Sequence, residues 1–411
     1  MRSGAVRGSL RGVANRVDVV VVGAGLSGLR AAQLLAAAGR DVVVLEAADA
    51  IGGRVRTDRV DGFTLDRGFQ LYNPAYPEGR LAWPDLAVRA FAAGVDVVRD
   101  GISHPLADPR RDPRSLPATT RSLRALGATR GLGAFASYAA RLGTPAHPRR
   151  TPPAWADQAI GEALRAAGVD DAALECLVRP FLSGVLADAA LETPRAVVDD
   201  ILRTFLAGTP GVPASGMDEL PRRLAAGVSV LTSTPVLSAA SGRVTTADAE
   251  WLADDVIVAV DDPSSLVPTA SATRWRALTT WYFAVAELPE RHPMLLVSPD
   301  VRLANVAVMS DVAPTYAPAG RRLIAASAVG FHDSAQAEQW AREDAARMLA
   351  VAPGDLELIA HYPIASALPA VGAARSAAIS CGIVLAGDHR QGPSINGALA
   401  SGRRAAELLG A

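Results

Sequence analysis

The stretch VDVVVVGAGLSGLRAAQLLAAAGRDVVVLE, residues 17–46, decides how this chain folds. Its opening, DVVVVGAG, is an unbroken β-branched run that stops at glycine, the pattern of a parallel strand buried on both faces. Residues 26–38 follow with strong helix formers at helical spacing and end at Gly39; RDVVVLE then reads as a second strand. The whole is one β-α-β unit. Its first turn holds Gly23, Gly25 and Gly28 in G-x-G-x-x-G spacing, with Leu26 and Ser27 opening the helix. Such glycines serve a tight turn, a close approach of backbone N–H groups to a pyrophosphate, and close packing of helix on strand; the helix adds its positive end. Glu46 stands 18 residues after Gly28 at the end of the second strand, where a carboxylate accepts hydrogen bonds from ribose hydroxyls. These parts bind a dinucleotide without separating NAD from FAD, because both end in the same adenosine diphosphate.

Composition narrows what the rest of the chain does. A length of 411 residues is more than one simple core needs and suggests two domains. With 41 basic against 42 acidic residues, no global charge points to a nucleic-acid partner. All the basic residues are arginine, and lysine is absent, which excludes Schiff-base catalysis and a pyridoxal aldimine. Cys176 and Cys381 lie far apart, the six histidines include no i, i+4 pair, and neither a disulfide framework nor a metal site is expected. No apolar run reaches the roughly 18 residues that span a bilayer, so the reading is a cytoplasmic protein. The first 16 residues carry four arginines and no acid, and are read as a disordered tail or as sequence ahead of the native start.

Along the chain the pattern changes twice. Residues 81–207 are Ala/Leu/Arg segments broken by proline, read as a mainly helical insertion. Within residues 108–150 nine arginines face two aspartates; a solvated helical face is the plain reading, weak peripheral docking to an anionic membrane surface the sharper one. GVSVLTSTPVLSA, WLADDVIVAV and GIVLAGD return to strand-like runs that re-enter the first sheet, while TTWYFAVAEL, RRLIAASAVG and an amphipathic helix around residues 334–349 build a mixed second sheet. The expected fold is α/β. A Rossmann-type cofactor domain is assembled from residues 17–80, 208–265 and 375–411, and residues 81–207 and 266–374 form the substrate domain.

After Glu46 the sequence continues AADAIGGRVRT, and here it resembles the flavin-containing amine oxidase superfamily, which includes protoporphyrinogen oxidases and phytoene desaturases. Gly52, Gly53 and Arg54 match that family's Gly-Gly-Arg element, in which paired glycines admit the cofactor and a guanidinium holds phosphate. FTLDRGFQLYNP looks like the segment lining the flavin ring, with Gly68, Phe69 and Gln70 at the matching positions. GVPASGMDELPRRLA is similar to the family's Gly-Met element, and TPVLSA places Val236 where a backbone meets adenine. LAGDHRQGPSINGALASGRRAAELL resembles the closing flavin motif. Gly387 and Asp388 would then lie near pyrophosphate and ribitol, while Ser394, Ile395, Asn396 and Ala398 would open a helix aimed at the flavin.

The resemblance implies an oxidoreductase with non-covalently bound FAD. The absence of lysine near flavin N5, and Ser394 at the closing aromatic position, argue against a standard amine oxidase. They favour a desaturase or dehydrogenase, or a protoporphyrinogen-oxidase-like enzyme, in which hydride leaves a C–C or C–N bond of a hydrophobic small molecule for flavin N5. Weak catalytic candidates are His389, the one titratable ring expected near the flavin, and Tyr362, which would supply one aromatic wall; a structural role for His389 is the plainer reading. Asp261 and Asp262 form a carboxylate pair by spacing alone, more in keeping with capping than with catalysis. The electron acceptor is oxygen, a quinone or a carrier. A flavoprotein with structural or non-redox use of FAD is the alternative. Substrate identity and oligomeric state are not readable.

Overall fold

The structure is a computed structural model that describes residues 15–143, 156–372 and 379–411. Strand β1 (Asn15–Val22), helix α1 (Leu26–Ala37) and strand β2 (Val42–Leu45) form the anticipated unit. β1 lies between β2 and the strand Glu250–Val258, parallel to both, with Val21 opposite Val44 on one side and Ile257 on the other. Val19, Val20 and Val21 are completely buried, the reason for an unbroken valine run. The chain re-enters this eight-stranded sheet through Ser229–Leu231, which pairs parallel to β2, and Ile383–Leu385, which pairs parallel to Glu250–Val258. Val236–Ala240 and Arg243–Thr246 add an antiparallel edge.

The second sheet has seven strands, ordered Glu357–Pro369, Trp275–Val285, Arg322–Val329, Asn305–Val308, Leu295–Val297, Gly94–Arg99 and Ile102–Ala107. Along Trp275–Val285 the period of two sends Trp281 and Phe283 under the helix Ala335–Leu349, whose N-terminus is capped by Ser334, and Tyr282 and Ala284 toward the first sheet. That inward face shares one core with α1 and the helix Ile395–Leu408, hereafter the closing helix. A third core, around Leu132, Ile160, Leu164, Leu182 and Val198, holds the helices between residues 116 and 207 together.

Two features differ from the sequence reading. The stretch expected to be mainly helical begins with a hairpin, Gly94–Arg99 against Ile102–Ala107, turned by Asp100 and Gly101 at φ of 51° and 75°. Both central residues at positive φ make an Asp-Gly turn whose twist suits antiparallel strands, and this local chemistry prevails over the surrounding alanine and proline composition. Asn15 and Arg16, assigned to a leading tail, belong to β1, where Arg16 pairs with Asp254. The rest of that segment, and positions 144–150 of the arginine-rich stretch, lie outside the described residues. Among the described residues no helix is long and apolar enough to cross a membrane, and no group of three or more His, Cys, Asp or Glu side chains is placed to hold a metal ion.

Candidate functional site

The glycines of the first turn have separable tasks. A Cβ on Gly23, which sits at φ +102°, would lie 2.6 Å from the Ala259 carbonyl oxygen, and one on Gly28 would lie 2.1 Å from that of Gly23. Both are therefore demanded by backbone packing. A Cβ on Gly25 would meet nothing within 4 Å, so its face opens into free space beside the start of α1. Gly52 closes this cradle by donating its N–H to the Ala24 carbonyl, and a Cβ on Gly53 would come 3.3 Å from the Gly25 Cα.

Glu46 turns back onto the same turn. Its Oε2 accepts from the Ala24 N–H at 2.6 Å and its Oε1 from the Ala48 N–H at 2.8 Å, which leaves each oxygen a further lone pair for a ligand. The Glu46 carbonyl accepts from Thr234 N–H, bringing the segment leading to Val236 alongside.

Arg54 is the electrostatic hinge. Its Nη2 donates to Asp388 Oδ1 at 2.6 Å and its Nη1 to the Ala367 carbonyl, its Nε lies 3.4 Å from Asp261, and the guanidinium sits 4.8 Å over the Trp275 ring. Burial alone would lower its pKa, but the charge and hydrogen bonds of Asp388 and Asp261 outweigh it and hold the pKa raised. Gln70 donates to the Arg54 and Arg67 carbonyls. Asp262, the other half of the carboxylate pair, caps a short turn at Ser264 instead.

The closing helix arrives at the same place. The Ser394 hydroxyl oxygen accepts from the Gly397 N–H, capping the helix, and the Ser27 hydroxyl at the head of α1 donates to the Ala398 carbonyl at 2.9 Å. A Cβ on Gly402 would lie 2.3 Å from the Ser27 carbonyl oxygen, so the two helices pack backbone to backbone with their N-termini together. Gly387 donates its N–H to Ser401. Asn396 is otherwise engaged: its Oδ1 accepts from the Glu78 N–H and anchors the helix Pro77–Ala82.

A family profile described as flavin containing amine oxidoreductase matches residues 26–409. This chain belongs to that family. As a member of this flavin-containing oxidoreductase family, it takes FAD as its cofactor. Putrescine oxidase of Kocuria rosea is 56% identical over 92 residues, covering 21% of this chain and 19% of that protein. The match to that curated relative thus spans about a fifth of its length. Among solved structures, a protoporphyrinogen-oxidase-like protein from Exiguobacterium sp. 255-15 superposes with a TM-score of 0.71 at 21% identity, covering 97% of this chain and 99% of that one. A putrescine oxidase crystallised with putrescine gives 0.68 at 19% identity, covering 97% and 100%. At such identities the likeness is one of fold.

In this flavoprotein the segment expected to line the ring is pinned by the second sheet. Gly68 is at φ +84°, and a Cβ there would lie 2.7 Å from Ile364 Cδ1. The Phe69 N–H donates to Thr280, and its ring meets Phe91 edge to face. Tyr362 sits nearby, but its hydroxyl donates to Asp58 at 2.8 Å and its ring packs edge-on to Tyr282. Beneath them lies Asp66, which the sequence reading did not single out: 1% exposed, it accepts from Thr57, the Met217 N–H and the Tyr316 hydroxyl. Tyr282 donates to its main-chain carbonyl. Burial pushes the Asp66 carboxyl up to about 6. An acid ending the otherwise apolar-facing strand FTLD was the available signal; nothing local marked its two tyrosine neighbours.

His389 folds back over Gly387, so that a Cβ on that glycine would lie 2.2 Å from the imidazole Cε1. Burial brings its pKa down to about 4, and the ring is neutral at physiological pH. Buried and without hydrogen-bond partners in this region are His389 Nε2, Gln70 Oε1 and Arg390 Nη2. Unsatisfied groups around an open glycine cradle are what a protein surface complementary to a polar ligand presents, and the residues fit FAD.

Proposed function

We propose that this oxidoreductase removes hydride from a C–C or C–N bond of a largely hydrophobic substrate, as a desaturase or dehydrogenase rather than a lysine-assisted amine oxidase. The carrying observation is that the carboxylates and the phenol around the site are already committed and that no lysine is available. Asp388 and Asp261 hold Arg54, Tyr362 is bonded to Asp58, His389 is neutral, and lysine is absent. Such a site works by positioning.

Gly23, Gly25, Gly28, Leu26 and Ser27 would take the pyrophosphate at the head of α1, with Gly52, Gly53 and Arg54 closing over it. Glu46 would accept from the ribose, Val236 would lie against adenine, and Gly387 and Asp388 would hold the ribityl chain. Gly68, Phe69 and Gln70 would flank the ring, and Ser394, Ile395, Asn396 and Ala398 would present the closing helix to it. When bound, FAD accepts the hydride at N5. Cys176 is buried in the helical region, and Cys381, six residues before Gly387, sits on a turn beside Thr269 and does not match the position from which a cysteine would bond the flavin ring, which favours non-covalent attachment. Leu177 and Phe181 pack against both the central core and the helical core, beside the π-helical turn Leu174–Val178, and Phe181 meets Phe205 edge to face. These side chains would line an apolar substrate's path.

A peripheral membrane contact supplies such a substrate. Arg110 and Arg111 pair with Asp108, whereas Arg114, Arg121, Arg124, Arg130 and Arg141 are exposed and carry no ion pair with a described acid. Leu116 and Ile102, 53% and 61% exposed, flank them.

The deciding measurement is anaerobic bleaching of the visible flavin band against amines, porphyrinogens and polyenes. Bleaching by a polyene or porphyrinogen supports the desaturase or dehydrogenase reading, and bleaching by amines alone overturns it in favour of an amine oxidase acting at the C–N bond. A flavin band that no substrate class bleaches favours structural or non-redox use.

A further inference from the structure

Asp261 is half of the carboxylate pair that spacing alone assigns to capping, yet it stands beside the cofactor cradle. It follows the strand Glu250–Val258, which runs parallel to β1, at the carboxyl ends where open α/β sheets take their ligands. Two positions before it, Ala259 donates its N–H to the Val22 carbonyl, and the Ala259 carbonyl oxygen is what a Cβ on Gly23 would strike. Asp388 and Asp261 share the Arg54 guanidinium unequally. Asp388 is buried and lies 2.6 Å from Nη2, whereas the Asp261 side chain is 54% exposed and lies 3.4 Å from Nε. The buried contact is fixed, and the exposed one is free to exchange, since exposed ion pairs add little stability. Glu46, at the end of β2, also acts on Asp261. Asp261, Asp388 and Glu46 thus already crowd negative charge around the place where a pyrophosphate would bring more.

We propose that Asp261 sets how tightly this protein holds FAD, by competing with the cofactor's pyrophosphate for the Nε side of Arg54. This deepens the reading in which Arg54 closes over the pyrophosphate, and rests on it. Asp388 keeps its contact, a phosphate oxygen takes the N–H that Asp261 gives up, and the Asp261 carboxylate is left facing Asp388, Glu46 and the phosphate. Partial loss of solvent in this corner, with Asp388 and Glu46 adding to it, already holds the Asp261 pKa above its ordinary value against the pull of Arg54. A bound phosphate raises it further, so the complex holds more protons than the free protein, and FAD binds more tightly as pH falls from neutral. His389, on the same turn as Asp388, adds a slope of the same sign only as pH nears its own value of about 4.

The test titrates the full-length apoprotein with FAD, followed by flavin fluorescence between pH 5 and pH 8, in wild type, Asp261→Asn, Asp262→Asn and Arg54→Gln. Asp261→Asn is expected to bind FAD about tenfold more tightly than wild type at pH 7.5, with a flatter pH dependence. Asp261→Ser should do the same with a smaller side chain. Asp262→Asn removes the same charge one position along, where the side chain caps Ser264, and should stay within about twofold of wild type. Calorimetry in two buffers of different ionisation enthalpy should read proton uptake when wild type binds FAD at pH 6, and less when Asp261→Asn does. Unchanged or weaker FAD binding by Asp261→Asn, with Arg54→Gln weakened, overturns the competition and leaves the role of Arg54 standing. Equal tightening by Asp262→Asn also overturns it, because a general charge effect then suffices. Wild-type FAD affinity in Arg54→Gln removes the cofactor role of Arg54 and the competition together.

Discussion

Arg54 Nη2 and Asp388 Oδ1 lie 2.6 Å apart and join segments 334 positions distant in the chain. One comes from the loop after β2 and the other from the turn before the closing helix, so the pair locks the two ends of the cofactor cradle. Asp388 is 4% exposed, and deleting its cation leaves a buried carboxylate unanswered. Arg54→Gln is expected to cost about 3 kcal/mol in urea unfolding of the apoprotein. It should also release flavin during gel filtration; a variant that keeps wild-type stability and its yellow colour would contradict this role.

Gly25 and Gly28 separate fold from cofactor. Gly28→Ala drives a methyl into the Gly23 carbonyl and should cost about 2–3 kcal/mol whether or not FAD is present. Gly25→Ala meets open space, so its apoprotein should melt with wild type, while its FAD affinity, read by flavin fluorescence, falls at least tenfold.

Asp66 and His389 tilt stability with pH in opposite senses. Asp66 titrates near 3.8 unfolded and about 6 folded, so between those values the folded chain holds the extra proton and stability falls as pH rises. His389 titrates near 6.5 unfolded and about 4 folded, so stability falls as pH drops through that window. Asp66→Asn should therefore gain stability relative to wild type from pH 4 to pH 7, on the order of 2 kcal/mol. His389→Gln should be favoured relative to wild type at pH 4.5 over pH 7. Denaturant midpoints across that range check both slopes.

Phe181→Ala should raise KM for a hydrophobic substrate by about tenfold, equivalent to about 1.4 kcal/mol of lost contact, with the flavin spectrum unchanged. A change in kcat with KM held would place Phe181 elsewhere in the reaction.

Exposed arginines predict salt-sensitive binding to vesicles. Co-sedimentation with anionic phosphatidylglycerol vesicles, but not with phosphatidylcholine alone, should weaken when Arg114, Arg121 and Arg124 are replaced by Gln. Binding indifferent to lipid charge would remove the membrane from the account.

Where interactions are local, the sequence alone determined the outcome. Gly23, Gly25 and Gly28 are read from spacing because a tight turn and a helix head are short-range objects, and the valine runs of β1 and β2 mark strands buried on both faces. The Asp100–Gly101 hairpin was equally local, yet its turn signal was masked by the composition around it. Tertiary structure alone decided the partners. No pattern near Arg54 announces Asp388 or Trp275, none near Asp66 announces Tyr282 and Tyr316, and nothing in GDHRQG shows that Arg390 ends up buried without an acid. Charge pairing and desolvation depend on which distant segments the two sheets bring together, and that is a property of packing rather than of spacing along the chain.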